Sequence, residues 1–494
     1  MKAFTPMLFS LGLALSGTFA HAADHYEQLA NTPLTQGYPS QEAIAQLKDE
    51  LFFQRAVQAY IWALPALNMN AMMEGSAVTF GTGYHVLPIW KDRLNAKTKV
   101  TTPNSDVIYA MGFVDLKNGP LVIEVPPGLQ GILDDFFQRP VCSVEQIDGR
   151  QWCGDVGLPG PDHGKGAKYL LLPPDYTGDI PKGYLTFRSR TYGVMVFWRG
   201  FYKDPKEPQL PVKTMEQTRI YPLGQEAKAT PMKFPNASGV AVNWIYPKDG
   251  SAFDMLDRLI QHEYVDPQDM ELRGMLAAIG IIKGQPFKPD AHAKALLDKA
   301  ARTASLMGRA VSYTPQSIVS DATWYKDRRW LNVFPGNANF TADSFNYLDP
   351  RTGFFTNAYS ASPGMAVSME KVGAKYPATF VDAKGDFLDG KRTYKLNLPK
   401  GIPAALFWSV TVYDPVDASG LDNGQAFPSI NAMDKPPTNA DGSTDIYFGP
   451  ESPGAGKNWI RTLPDKGFFV ILRLYGPTKE FFDKSWKPSD IEPL

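Results

Sequence analysis

"YLTFRSRTYGVMVFWRGF", residues 184–201, is the stretch on which the reading of the fold turns. It is rich in β-branched and aromatic residues and lacks helical periodicity, so it reads as strand. Alternation along an extended chain then puts Arg188, Arg190, Tyr192, Val194, Val196 and Trp198 on one face. Phe187, Ser189, Thr191, Met195, Phe197 and Arg199 fall on the other. Upstream, "LVIEVPP" (121–127) and "KYLLLPP" (168–174) repeat the signal between Pro and Gly turns, so 107–202 reads as β throughout. The signal returns after about residue 330 in "TYKLNLP", "ALFWSVTVYD", "TDIYFGP" and "GFFVILRLYGP", spaced as in a sandwich or jelly roll.

The chain between these regions is helical. Ser251 with Asp254, Asp266 before Pro267, and Asp290 before "AHAKALLDKAARTASLMGRA" read as three helix starts over 250–310. Near the N-terminus Ser40 reads as an N-cap, and Ile44, Leu47, Leu51 and Val57 as the stripe of a packing helix. The expected class is α+β, mainly β: two β-rich domains, the second a jelly-roll-like sandwich, joined by a helical segment. The expected spans are a leader at 1–22, a β-rich domain with its leading helix at 23–210, a helical connection at 211–330 and the second β-rich domain at 331–494.

Composition bounds the partners. The chain has 494 residues, 50 Lys plus Arg against 51 Asp plus Glu, and 44% hydrophobic residues, which describes a folded multidomain protein with no field to attract nucleic acid. "MKAFTPMLFSLGLALSGTFAHA" has an early Lys, an apolar run from Met7 to Leu15 and the small-x-small pattern Ala20-His21-Ala22. It predicts export to the periplasm or beyond, with a mature start at Ala23. The apolar run is shorter than the ~20 residues a span needs, so no membrane span is expected after cleavage. Cys142 and Cys153 in "CSVEQIDGRQWC" suit a structural disulfide in an oxidising compartment, worth ~3 kcal/mol by loop closure. A two-residue turn at Asp148-Gly149 would set Cys153 opposite Val144, so the bridge is expected to need a four-residue loop, Gln146 to Gly149.

"TTPNSDVIYAMGFVDL", "DDFFQRPV", "GKGAKYLLLPPDY", "RSRTYGVMVFWRGF" and "GIIKGQPFKPD" together resemble the paired DUF 1254 and DUF 1214 families of exported bacterial proteins. "FWSVTVYD", "YFGPESPG" and "NWIRTLPDKGFFVILRLYGPTKEFFDKSWKPSDIEPL" are similar to the DUF 1214 signature nearly throughout, so the resemblance spans about 50–494. It implies two β-rich domains joined by helices and carries no catalytic residues. The Cys142–Cys153 stretch departs from it by lengthening the run between "RPV" and "GKG".

Motifs for chemistry are sparse. "GPDHGKGAKY" misses the phosphate-loop spacing by one residue and precedes a strand, leaving Lys165 as an anion contact in a turn. No histidine pair stands at metal-ligand spacing and there is no G-x-S-x-G, so neither a metal, a cofactor nor a serine nucleophile is expected. Carboxylates remain. Asp134 and Asp135 are strand neighbours pointing to opposite faces, one with Phe136 and Gln138, the other with Phe137 and Arg139. Asp106 shares a face with Ile108, Ala110 and Gly112, where small residues leave room for a ligand or a packed element. Tyr413 lies with Phe407, Ser409 and Thr411 on the polar face of its strand, opposite Trp408.

Two functions follow as expectations. In the first, the protein binds a small or polymeric, hydroxyl-rich or acidic ligand through Asn104, Tyr109, Lys165, Arg188, Tyr192 and Tyr413, with homo-oligomerisation as a second use of the β surface. The alternative is a glycan hydrolase or lyase with Asp106 and Asp134 as acid and base and Arg139 or Arg188 orienting an anionic substrate. That chemistry requires the two carboxylates within ~10 Å of each other.

Overall fold

A computed structural model describes residues 25–202, 207–314, 322–334 and 337–494. The expected leader and the start at Ala23 lie outside the described residues. Helix α1, Gln41–Phe80, starts at Ser40, whose hydroxyl accepts from Ala43 N at 3.2 Å. Its lower half does not bury the expected stripe, for Leu51 is exposed. Burial runs instead through Ala56–Met72, where nearly every side of the helix is covered by protein.

The first β region comprises β1 (Ile108–Asp115), β2 (Leu121–Val125), β3 (Gln130–Asp135), β4 (Cys142–Ser143), β5 (Asp155–Gly157), β6 (Ala167–Leu172), β7 (Leu185–Arg188), β8 (Gly193–Gly200) and β9 (Arg219–Pro222). They form two sheets, in the orders β9-β2-β6-β7-β4 and β1-β8-β3-β5. The stretch 184–201 is therefore not one strand. Arg188 ends β7 in one sheet and Gly193 begins β8 in the other, and residues 189–192 cross between them. Val194, Val196 and Trp198 enter the core between the sheets, while Met195 and Phe197 face α1 and the helices beyond. Because β8 is covered on both faces, its apolar residues run continuously rather than alternating with polar ones.

The helical layer contains α2 (Ser251–His262), α3 (Met270–Ala278), α4 (Ala291–Tyr313) and α5 (Leu348–Asn357). Asp266 and Asp290 cap as expected, accepting from Gln268 N at 2.9 Å and Ala293 N at 2.8 Å. Ser251 does not cap α2. Its N–H and hydroxyl both go to Asp249 Oδ1, which organises the turn instead.

The second β region comprises β10 (Ala374–Lys375), β11 (Ala378–Thr379), β12 (Tyr394–Leu398), β13 (Ala404–Tyr413), β14 (Ser429–Asn431), β15 (Thr444–Gly449), β16 (Asn458–Arg461), β17 (Phe469–Pro477) and β18 (Glu492–Pro493). One sheet runs β10-β17-β13-β14, with β11 also on β17, and the other runs β16-β15-β12-β18. Their shared core holds Trp408, Val410 and Val412 from β13 against Leu396, Ile446 and Phe448. The pair β15–β16 is parallel, unlike the all-antiparallel sheets of a jelly roll, so a two-sheet sandwich is the description that holds. The class is α+β, with helix and strand contributing about equally.

Cys142 and Cys153 are bonded, with Cα atoms 3.9 Å apart. The hairpin they close corrects the expected loop. Ile147 pairs with Arg150 around a two-residue Asp148-Gly149 turn, both of whose residues have positive φ. Cys142 still faces Cys153, because residues 144–146 bulge and absorb the offset.

Candidate functional site

The segment 101–106 joins the two sandwiches. Thr102 N donates to Ala418 O at 2.6 Å, and the Tyr413 hydroxyl donates to Pro103 O at 2.7 Å. Asn104 donates to the Tyr475 hydroxyl and accepts from Asp106 N at 2.9 Å. Asp106 is fully buried, accepting from the Ser409 hydroxyl and from Asn431 Nδ2 at 2.9 Å, with Arg93 Nη2 4.0 Å away. It precedes β1 rather than lying on it. The polar face of β13, with Ser409, Thr411 and Tyr413, is consequently a docking surface and not a wetted groove. The space beside Ala110 and Gly112 is also filled: Ile89 bridges Ala110, and a Cβ on Gly112 would stand 2.9 Å from Leu87 Cδ1.

Beside this clasp a cavity opens between the sandwiches, with about 1100 Å³ of empty space including its mouth. Tyr109 on β1, Phe197 and Arg199 on β8, and Ile471 and Arg473 on β17 form its inner wall. Tyr109 stacks on Phe197 at 5.1 Å between centroids, and Phe197 meets Tyr359 at 5.9 Å. Arg199 and Arg473 are only 8% and 3% exposed. Neither has a carboxylate within ion-pair distance among the described residues. Arg473 donates weakly, from Nη1 to Thr411 Oγ1 at 3.2 Å and from Nη2 to the carbonyls of Thr102 and Pro103 at 3.4 Å, and its Nε has no acceptor. Arg199 Nε likewise has none. A guanidinium does not lose its proton in a protein, so these are two buried charges with donors to spare. Burial pushes the Tyr109 and Tyr359 hydroxyls up from their ordinary range, which keeps them neutral at physiological pH.

Asp134 and Asp135 are both buried and bind different partners, as their opposite directions require. Asp134 Oδ2 accepts from Ser360 Oγ at 2.7 Å and Ala361 N at 3.3 Å, and Gln138 Oε1 accepts from Ser360 N at 2.5 Å. Asp155 Oδ2 accepts from Gly364 N at 2.8 Å, an approach so close that a Cβ on Gly364 would stand 2.8 Å from Asp155 Oδ1. These carboxyls hold the segment 360–364, which connects the cavity-lining Tyr359 and Met365. Burial pushes Asp134 up to about 8 and Asp155 up to about 6, against the hydrogen bonds that pull them down. Asp106 and Asp134 do not form a pair. On β8, Ile108 is opposite Gly200 and Asp134 is opposite Met195. Those positions are ~17 Å apart along the strand at ~3.3 Å per residue, and Asp106 lies beyond Ile108.

Family models described as protein of unknown function (DUF1254) and protein of unknown function (DUF1214) match residues 85–222 and 373–479. The chain thus carries a DUF1254 and a DUF1214 domain together, as the resemblance implies. The VPA0106 protein from Vibrio parahaemolyticus shares the fold, with a TM-score of 0.51 and 18% identity over 90% of this chain and 100% of that one. A putative uncharacterized protein from Burkholderia cenocepacia aligns at a TM-score of 0.39 and 14% identity, over 97% of this chain and 96% of that one. No curated protein matches.

The DUF1254 domain thus supplies Asn104, Tyr109 and Arg199 to the cavity, and the DUF1214 domain supplies Arg473. The other residues expected to act together are dispersed through the DUF1254 domain. Arg139 Nε pairs with Asp135 Oδ2 at 2.7 Å and its Nη1 with Asp269 at 3.1 Å, so this side chain ties β3 to the start of α3. Arg188 donates to the carbonyls of Pro173, Pro174 and Tyr176, Arg190 pairs with Asp266 at 3.1 Å, and the Tyr192 hydroxyl donates to Asp175 at 2.7 Å. Each is spent on a protein acceptor, so they form no common anion site. Lys165 is exposed in a turn organised by Asp162, which accepts from Gly157 N, Gly166 N and the Tyr169 hydroxyl. Arg199, Tyr359 and Arg473 were not among the expected residues. The sequence does carry a signal for the arginines: "VMVFWRG" and "FVILRLYG" each hold a single charge inside an apolar strand.

Proposed function

We propose that this protein binds a small acidic molecule in the cavity between its DUF1254 and DUF1214 domains. The observation that carries the reading is the pair of buried guanidiniums, one from each domain, that line one cavity without carboxylate partners. Burying an unpaired charge costs several kcal/mol, which an anionic ligand recovers through charge-assisted hydrogen bonds. Tyr109 and Asn104 complete a polar inner end. The hydrolase alternative loses its basis, because its two carboxylates are far apart and each is engaged in holding backbone or neighbouring side chains. Export to the periplasm or beyond remains part of the proposal, supported by the leader-like sequence and the cysteine pair.

The test is a thermal-shift screen of the full chain against carboxylic acids, sulfates and phosphates. Acids are expected to raise Tm, and Arg199→Met is expected to abolish that rise. The same variant removes an unpaired buried charge and should leave the ligand-free protein at least as stable as wild type. No response to any anion, or an undiminished response in Arg199→Met, contradicts the proposal.

A further inference from the structure

The proposed site also has a distribution of polarity that selects among acids, an argument that rests on the anion-binding reading above. Charge balance at its inner end comes first. Arg93 lies 3.6 Å from Asp434, Asp106 lies in the field of Arg473, and Arg199 is offset only by Asp155, which burial pushes up to about 6. The inner end therefore has an excess of at most about one positive charge, matching one carboxylate rather than a dianion.

The walls come second. Away from the arginines the cavity is lined by Phe334, Phe354, Phe380 and Phe469, with Val311 and Met365. Phe334 packs on Phe354 at 4.6 Å and Phe380 on Phe469 at 4.7 Å, so these rings form two continuous apolar surfaces. A polyol placed against them would leave its hydroxyls desolvated and unpaired, at a cost that an apolar chain does not incur.

Orientation comes third. The arginines are the most buried charges of the lining, whereas Asp349, its one carboxylate, is exposed. An acid therefore enters with its head towards Arg199 and Arg473 and its body along the phenylalanines towards Asp349, which disfavours a second acid group at the outer end.

We infer that the ligand is an amphipathic monocarboxylate, an acid head on an aromatic or aliphatic body, and not a sugar acid or glycan. The test is titration calorimetry of the full chain with straight-chain carboxylates from butanoate to decanoate, all below their micelle concentrations, alongside phenylpropanoate, gluconate, succinate and 1-octanol. Affinity should rise about fourfold per methylene until the cavity is filled. Phenylpropanoate should bind, gluconate and succinate should bind at least tenfold more weakly than octanoate, and octanol should lose at least tenfold through the missing charge. Equal or tighter binding of gluconate or succinate, or no dependence on chain length, overturns the amphipathic class while leaving the anion site standing. Absence of binding by every acid overturns both readings.

Discussion

Asp106 shows how one residue's role changes once its partners are known. A carboxylate followed by small residues suggested a ligand pocket; in the fold it is a fully buried strut between the sandwiches, satisfied by Ser409 and Asn431. Its truncation should act on stability first. Asp106→Ala leaves two buried polar side chains without an acceptor and removes a buried negative charge beside Arg93, a loss expected to cost ~3 kcal/mol. Urea unfolding followed by tryptophan fluorescence checks this, and a change below ~0.5 kcal/mol would show that the clasp does not depend on this carboxylate. Arg199 and Arg473 have the reverse character. Each is a buried charge with no carboxylate at ion-pair distance among the described residues, the pattern expected where stability is given up for binding.

At the scale of elements, much was legible in the sequence because short-range chemistry determines it. Ser40, Asp266 and Asp290 cap where their hydrogen-bonding side chains predict, and the strands around Tyr169, Phe197, Val410 and Leu472 form where β-branched and aromatic residues cluster. The failures occur where a long-range partner decides. Alternation through 184–201 assumed one strand, but the chain changes sheets after Arg188, so Arg188, Arg190 and Tyr192 do not share a strand face. The amphipathic stripe of α1 failed at Leu51 because other helices, not the helix's own periodicity, determine which residues are covered. No sequence pattern reports that the segment 101–106 docks against the polar face of β13, where Tyr413 was expected to meet a ligand. The site itself was half legible: Asn104 and Tyr109 were expected, whereas the arginines opposite them come from strands more than 270 residues apart in sequence.

At the scale of the molecule, three buried carboxyls make stability depend on pH. Burial raises Asp134 to about 8, Glu263 to about 7 and Asp155 to about 6. Each folded-state value exceeds its unfolded one, so over this range the native state binds more protons than the unfolded chain. Stability must then fall as pH rises from 5 to 8. Lys248 and Lys375, lowered by burial to about 8, reverse the trend only above that pH. Denaturant midpoints measured from pH 5 to 8 should decrease, and a midpoint that is flat or rises across this window would contradict the burial of these groups.

The central claim is that two domains, each contributing one buried arginine, enclose a single acid. The most direct measurement is a crystal structure of the full chain soaked with the tightest-binding acid from the titration series. The account predicts a carboxylate within hydrogen-bond distance of both Arg199 and Arg473, with its apolar body against Phe334 and Phe354. Ligand density elsewhere on the molecule, or a carboxylate in this cavity that touches neither guanidinium, would contradict it.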